Sequence, residues 1–416
     1  MKFIHLADCH LDGYREEKLN KLSLDNFEYV MNFSVSESVD FILLAGDLFN
    51  TALPKIETLK EVVNILKNVK DKGIMIYFIP GSHDYSPNGK TMLDVLENAG
   101  LIKNVFVGKI GSDESLYLDW TIDEKTKAHI TGIHGLKGML DKNYYSKLDY
   151  SNLISNEFKI FIFHTAIKEM LPKDLEMIES CSVDILPPGF DYYAGGHVHV
   201  RKRGAGSGEQ MLDSDTLGAE DSGWKNKVIF PGPTFPNNFA ELEKLKYGSF
   251  VFFNDGKLTF EKIPSKEVEV LNIDCELRNP NEVQEFIETK IEEIDVKDKI
   301  VLMRFSGVLK SGKVSDIDFK LMNKICLDKG AYIVLQNTNK LKSKEFVEVE
   351  VSEESSDEIE DKTIFENLNQ INLPSDIDEK ELILKLMNIL DTEQFDGESK
   401  TNFTERLIEE TKKLIK

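Results

Sequence analysis

Five short apolar segments of this chain each end on residues that bind metals, and that recurrence limits the fold more than any other feature. KFIHLA runs into Asp8-Cys9-His10, DFILLA into Gly46-Asp47, and IMIYFIP into Gly81-Ser82-His83-Asp84. FKIFIF runs into His164, and FDYYAG into Gly196-His197-Val198-His199. Each reads as a β-strand that delivers Asp or His at its carboxyl end, which is how an α/β sheet builds a ligand site along one rim. Ser82 is the odd member, a hydroxyl where such a rim calls for a better ligand. In an extended strand alternate side chains share a face, so Asp8 and His10 are expected to point one way and Cys9 the other. The same argument pairs His197 with His199 around Val198. Alternation turns His5 away from Asp8, and His5, His129 and His134 (in the loop GIHG) are read as structural. A ligand set built on Asp and His suits Mn2+, Fe2+ or Zn2+ better than an all-oxygen Mg2+ cage. A carboxylate between two such clusters can bridge two metals about 3.5–4 Å apart, the geometry of in-line displacement at phosphorus.

A length of 416 residues predicts roughly two or three domains, and a hydrophobic content of 41% is ample for their cores. The amino terminus runs straight into a strand with no apolar signal core, which speaks against secretion. The longest apolar runs are strand-length, far short of a membrane span. Cys9, Cys181, Cys275 and Cys326 show neither disulfide nor zinc spacing, which suits a reducing cytoplasm. A net charge of −22 argues against a surface that grips nucleic acid everywhere, while leaving room for a local basic groove. It fits a salty cytoplasm equally well. Part of the acid is concentrated, with nine acidic and no basic residues between Glu345 and Asp361.

Along the chain, apolar strands alternate with amphipathic helices to about residue 140. Strands are expected at 2–8, 40–45 and 74–79, and helices near 25–38, 54–71 and 89–98. Pro54 would sit in the first turn of the second helix, with Gly73 as its stop, and Gly100 closes the third. Segments near 104–107, 115–120 and 127–133 read as hairpin material. Residues 158–263 are mostly strand and end in a pair across Asn254-Asp255-Gly256. The pattern predicts a layered α/β sandwich around two sheets. The Gly-, Ser- and Asp-rich excursion at 204–227 is either a solvated insertion or a loop that brushes the site. Residues 266–340 read as a βαββαβ-like order, a small separate α+β domain. An acidic linker follows. The end holds two helical patterns, DIDEKELILKLMNIL and FTERLIEETKKLI; Ile383, Leu384, Leu386, Met387 and Leu390 form an apolar stripe suited to docking on a partner.

The order D-x-H, G-D, G-x-H-D, a lone strand-end His and G-H-x-H resembles calcineurin-like metallophosphoesterases over residues 3–199. HLADCHLD, LLAGDLFN and Pro231-Gly232-Pro233 after GHVH make the chain similar to the SbcD/Mre-eleven family of DNA double-strand-break repair nucleases. The resemblance implies a four-layer α/β/β/α nuclease domain over 1–263 and a small α+β capping, DNA-binding domain over 264–342. It further implies an acidic linker over 343–375 and a C-terminal helix pair over 376–416 that binds a coiled-coil ABC-type ATPase (SbcC/Rad-fifty type). The expected activity is a DNA exonuclease/endonuclease using two Mn2+ or other divalent ions, acting on DNA ends as a homodimer at the nucleoid.

Carried onto this chain, Asp8, His10, Asp47 and His199 would hold one metal. Asp47 would bridge to a second, held also by Ser82, His164 and His197. A metal-bound hydroxide would attack phosphorus, while His83 would stabilise developing charge or protonate the leaving 3′ oxygen, with Asp84 orienting it. Two departures stand out. The family has Asn at position 82, so the second metal is expected to bind more loosely, directly through Ser82 or through water. Asn50 replaces a His that many relatives use on the DNA phosphate, and its amide would donate there instead. Two rival readings remain: a phosphodiesterase for a nucleotide or small ester, and a weakly active scaffold that binds DNA ends. Ile56, Leu59, Val63 and Leu66, with Met92, Leu93 and Leu96, are candidates either for a dimer seam or for simple cover of the sheet.

Overall fold

The computed structural model describes residues 1–86, 90–172, 175, 177–204, 215–216, 227–344, 385 and 400–414. The chain begins β1 (Lys2–Leu6), α1 (Glu17–Ser36), β2 (Phe41–Ala45), α2 (Ile56–Asp71), β3 (Met75–Ile79), α3 (Met92–Asn98) and β4 (Lys103–Asn104). Short strands β5 (Gly108–Ile110), β6 (Leu116–Leu118) and β7 (Thr121–Ile122) lead to β8 (His129–Ile133), α4 (Lys142–Lys147), β9 (Leu148–Asp149), β10 (Lys159–His164) and β11 (Tyr192–Gly196). Then come β12 (Arg201–Arg203), β13 (Asp215–Thr216), β14 (Val228–Pro231), α5 (Phe239–Leu245), β15 (Ser249–Asn254) and β16 (Lys257–Lys262). The last elements are β17 (Val268–Asp274), α6 (Pro280–Glu293), β18 (Ile300–Leu309), α7 (Phe319–Asp328), β19 (Ile333–Ser343) and α8 (Lys400–Leu414).

Two sheets stack. One runs β13-β16-β15-β1-β2-β3-β4 and the other β12-β14-β11-β10-β8-β7. Their central strands are continuous apolar runs because both faces are covered. The pleat sorts them: Ile4, Leu6, Ile42, Leu44, Ile76 and Phe78 face α1 and α2. Phe3, Phe41, Leu43 and Ile79 face Ile160, Ile162, Tyr192 and Ala194 of the second sheet. Phe161, Phe163, Tyr193 and Phe230 on that sheet's outer face are covered by Met170, Leu186 and Phe190 with Tyr145 of α4. The expected four layers are therefore present, the last built from one short helix, single turns and loops. Burying each such aromatic contributes about 2 kcal/mol.

The edges of several elements differ from the sequence reading. Helix α1 begins at Glu17, well before residue 25, because Leu19 and Leu22 are buried and add apolar contacts to a start whose Glu16 side chain makes no capping bond. Pro54 lies outside α2, whose N-cap is Lys55, while Gly73 (φ +72°) ends it as expected. The β15–β16 turn has Asp255 and Gly256 both at positive φ, as a tight two-residue hairpin requires.

Residues 268–343 form βαβαβ with a sheet ordered β17-β18-β19, one strand fewer than a βαββαβ order, and Ile300–Leu309 is a single ten-residue strand. One face of this sheet has its own core with α6 and α7 around Met303 and Phe305. Its other face packs Ile300 and Leu302 on Leu19, Leu22, Phe235 and Leu242, and Met1–Leu341 forms one compact unit. Helix α8 carries the pattern from Phe403 to Leu414. The stripe at 383–390, the acidic stretch 345–361 and nearly all of the 204–227 excursion lie outside the described residues. None of the described helices is long and apolar enough to cross a membrane.

Candidate metal centre

Strands β1, β2 and β3 run parallel, as do β8, β10, β11 and β14, so each group ends at one edge of its sheet. Asp8 and His10 follow β1, Asp47 follows β2, and Ser82 follows β3; His164 ends β10, and His197 and His199 follow β11. The pairing of β1 with β2 continues beyond the strands: Asp8 N–H donates to Gly46 O at 3.1 Å and His10 N–H to Asp47 O at 3.0 Å.

The segment after β1 is not extended, however. Asp8 (φ 52°), His10 (φ 41°), Asp47 (φ 53°) and His197 (φ 90°) all lie in the left-handed region. Strand alternation therefore does not bring Asp8 and His10 together; turns that residues other than glycine adopt only at a cost do so. Cys9 between them does turn into the helix-facing core.

Two separate triads result, Asp8–His10–His199 and Asp47–His164–His197, with ligand atoms in each within 4.8 Å of one another, and a third group of the same kind, His10–Asp47–His83, shares one member with each of them. Asp47 lies between them: its Oδ2 is 3.1 Å from His164 Nε2 and 3.5 Å from His10 Nε2. The Nε2 atoms of His10 and His199 face each other at 3.2 Å. Ser82 Oγ is 3.5 Å from Asp47 Oδ2. Glycine makes the crowding possible. A Cβ on Gly196 would stand 1.9 Å from Ala45 O, and one on Gly46 (φ +84°) 2.2 Å from His164 Nδ1.

Three imidazole tautomers are each set by a neighbour that only accepts hydrogen bonds. His164 Nδ1–H donates to Ala45 O at 2.8 Å, His83 Nδ1–H to Asn50 O at 3.0 Å, and His199 Nδ1–H to Glu241 Oε1 at 3.0 Å. His164 and His199 therefore present Nε2 toward the carboxylates.

Burial pushes His10 and His197 down to about 3, so both are neutral and free to ligate. Burial also works against His164 and His199, yet Asp47 lifts the first to about 10, and Asp8 with Glu241 lifts the second to about 9. Burial opposes ionisation of Asp47 too, but His164 and His10 hold it well below the ordinary carboxylate range. The cluster thus draws positive charge to itself. Asp8 Oδ2 and His10 Nδ1 are buried without a hydrogen-bond partner. Leaving such atoms unsatisfied costs about 1–3 kcal/mol each, and with this donor set the residues fit divalent cations.

One expected contact differs in the structure. Asp84 does not orient His83. Its carboxylate accepts from the backbone N–H groups of Gly81 (2.8 Å), Asp47 (2.9 Å) and Phe49 (3.2 Å), so it ties the β2 and β3 loops together. Burial, then repulsion from Asp47, pushes it up to about 7. Asn50 meets His83 through its carbonyl, and its side chain lies beside Gly13. His83 itself stands beside the first triad, its ring 4.8 Å from that of His10. His5 (Nδ1 3.0 Å from Tyr192 Oη), His129 (Nδ1 2.7 Å from Ser155 Oγ) and His134 (Nδ1 3.0 Å from Tyr85 Oη) make their contacts outside the triads.

Glu241 was missed. Its helix α5 was not anticipated, although Asn238 three residues before Glu241 is an N-cap pattern, and the Asn238 side chain does accept from Glu241 N–H.

The comparisons agree with this geometry. Residues 1–201 match the family described as calcineurin-like phosphoesterase. The DNA double-strand break repair protein Mre11 of Archaeoglobus fulgidus is 24% identical over 370 residues, covering 85% of this chain and 77% of its own. Its namesake in Methanococcus maripaludis is 26% identical over 304 residues, covering 69% and 73%. That of Saccharolobus solfataricus is 32% identical over 209 residues, covering 49% and 50%.

Proposed function

We propose that this chain, whose residues 1–201 match the calcineurin-like phosphoesterase family, is an Mre11-like DNA repair nuclease that hydrolyses DNA phosphodiesters with two Mn2+ ions as the nuclease subunit of a break-repair complex. The observation that carries this reading is the pair of Asp/His triads with Asp47 between them. Asp8, His10, Asp47 and His199 would hold one ion, and Asp47, His164, His197 and Ser82 the other. Bound ions of this kind supply Lewis-acid charge and lower the pKa of an attacking water. The protein's own part is positioning. His83, whose Nδ1–H is given to Asn50 O, would act through Nε2, which must carry a proton of its own to stabilise developing negative charge or to hand it to the leaving 3′ oxygen. Asp84 fixes the two loops that carry Asp47 and His83.

Purified protein with Mn2+ is expected to degrade linear duplex DNA, and His83→Ala to lose about 100-fold or more of that rate while keeping its Mn2+ affinity and thermal midpoint. Full activity in His83→Ala would refute the role given to that residue. Cleavage of small phosphodiesters without DNA cleavage would favour the small-substrate reading.

Two association surfaces accompany this function. Met92 N–H donates to Ala52 O, which brings the starts of α2 and α3 together. Leu66, Leu93 and Leu96 are buried in the sheet-facing core, so they cover the sheet and drop out of the seam. Leu53 (64% exposed), Ile56 (79%) and Val95 (56%) remain outside as a face for a second copy. Removal of residues 376–416 is expected to abolish capture of a coiled-coil ABC-type ATPase and to leave intrinsic cleavage intact. Unchanged capture would refute the docking role.

A further inference from the structure

Backbone carbonyls within the catalytic rim set the tautomers of His164 and His83; His199 depends instead on a side chain from outside it. Glu241 reaches His199 from α5, and its carboxylate is itself fixed by two further donors. Asn237 N–H donates to Oε2 at 2.9 Å, and Asn238 Nδ2–H donates to Oε1 at 2.7 Å. A carboxylate held this way has little freedom, and it passes that fixity to the imidazole.

The next two residues of α5 turn toward the β17–β18–β19 sheet. Leu242 is fully buried against Ile300 and Leu302. Glu243 takes a two-pronged ion pair from Arg304 on β18: Nε–H donates to Oε1 at 2.8 Å, and Nη2–H donates to Oε2. The Arg304 guanidinium also lies 5.1 Å from the Phe239 ring centroid at the start of α5. Three consecutive residues thus hold one imidazole and the small sheet together. We propose that Glu241 is a positioning residue for the Asp8–His10–His199 triad, and that α5 ties the setting of this triad to the β17–β18–β19 sheet through Glu243 and Arg304. The Asp47–His164–His197 triad has no such tie among the described residues, since His164 is oriented by the main-chain carbonyl of Ala45 at the end of β2.

This inference rests on the reading of the triads as cation sites, so the test separates the two. Mn2+ is titrated into the full chain, and the free ion is followed by its six-line electron paramagnetic resonance signal, which needs no catalytic turnover. Removing His199 (His199→Ala) is expected to eliminate one binding step. Glu241→Gln should weaken that same step by about 10- to 100-fold and leave the other unchanged, the usual effect of losing the carboxylate behind a ligating imidazole. Glu241→Asp, which keeps the charge but falls short by one methylene, should lie between. Arg304→Met should weaken the step by about 3-fold or more, with the charge-swapped pair Arg304→Glu/Glu243→Arg restoring it.

If His199→Ala leaves the titration unchanged, the cation-site reading fails and the inference with it. If His199→Ala removes a step but both Glu241 variants bind as wild type, the positioning role alone is overturned. Wild-type affinity in a folded Arg304→Met protein, checked by its thermal midpoint, overturns the tie to the small sheet.

Discussion

The two triads share Asp47 as a neighbour and the same rim, yet they are built by different means. Asp47–His164–His197 is made almost wholly by backbone. Its central imidazole ends a strand, is oriented by a main-chain carbonyl, and sits in space cleared by Gly46 and Gly196. Asp8–His10–His199 has two ligands at positive φ, as the other triad does, but depends in addition on a glutamate from a helix more than forty residues along the chain. A half-site made by strand ends is as rigid as the sheet. One finished by a side chain from another layer can be adjusted by whatever moves that layer, so the two halves should respond to different perturbations.

The largest effect is expected from Gly196→Ala. The new Cβ would meet Ala45 O, in the first sheet, at 1.9 Å and His164 Nδ1, in the second, at 2.8 Å, so it would press on both sheets where they meet. A loss of about 3 kcal/mol in urea denaturation is expected, with the Mn2+ step of the His164 triad lost before that of the His199 triad. A loss under about 1 kcal/mol, or equal damage to both steps, would mean that the strand-built half is no stiffer than the other.

Acid will also distinguish the halves, but only once acid unfolding is separated from protonation of the site. His5 supplies that control, since it lies between the two sheets and outside both triads. Burial lowers it to about 3, against about 6.5 in the unfolded chain. Above pH 6.5 both states are neutral at this position and it has no effect. As the pH falls from 6.5 toward 3 the unfolded chain takes a proton that the folded one refuses, so stability is lost over that window. The slope is about 1.4 kcal/mol per pH unit, or roughly 2 kcal/mol by pH 5. His5→Phe should flatten this part of the stability curve measured by denaturation from pH 3 to 7, and parallel curves would refute the assignment.

The same contrast explains what was legible in the sequence. Strand-built features could be read because an apolar run ending in Asp or His carries its own meaning: β1, β2, β3, β10 and β11 were all located, with the two-sheet core between them. Features made by turns and tertiary contact were not. Asp8 and His10 meet through left-handed backbone that no residue pattern announces. Asp84 binds three amides brought together by folding, which its place next to His83 does not suggest. Helix α5 is only seven residues long, too short for periodicity to reveal, so Glu241 went unseen despite its Asn238 cap. Leu66, Leu93 and Leu96 are apolar positions at helical spacing, and spacing alone cannot say whether a stripe meets its own sheet or another molecule.

The smallest expected effect is the most selective. Ser82 Oγ stands 3.5 Å from Asp47 Oδ2, at the edge of hydrogen-bond reach, in a buried position. A serine hydroxyl is a neutral ligand on a short side chain, whereas an asparagine carbonyl extends one bond further and carries a larger dipole. Ser82→Asn is therefore expected to tighten the Mn2+ step of the Asp47–His164–His197 triad by about 10-fold, on the scale of a single ligand or its support. The Asp8–His10–His199 step should not change, since its distinguishing partner, Glu241, lies on the far side of His199. Calorimetric titration resolves the two steps. Equal tightening of both would show that Asp47 couples the halves strongly enough to make their separate construction irrelevant, whereas tightening of one alone means that the strand-built half binds its ion independently of the half finished by α5.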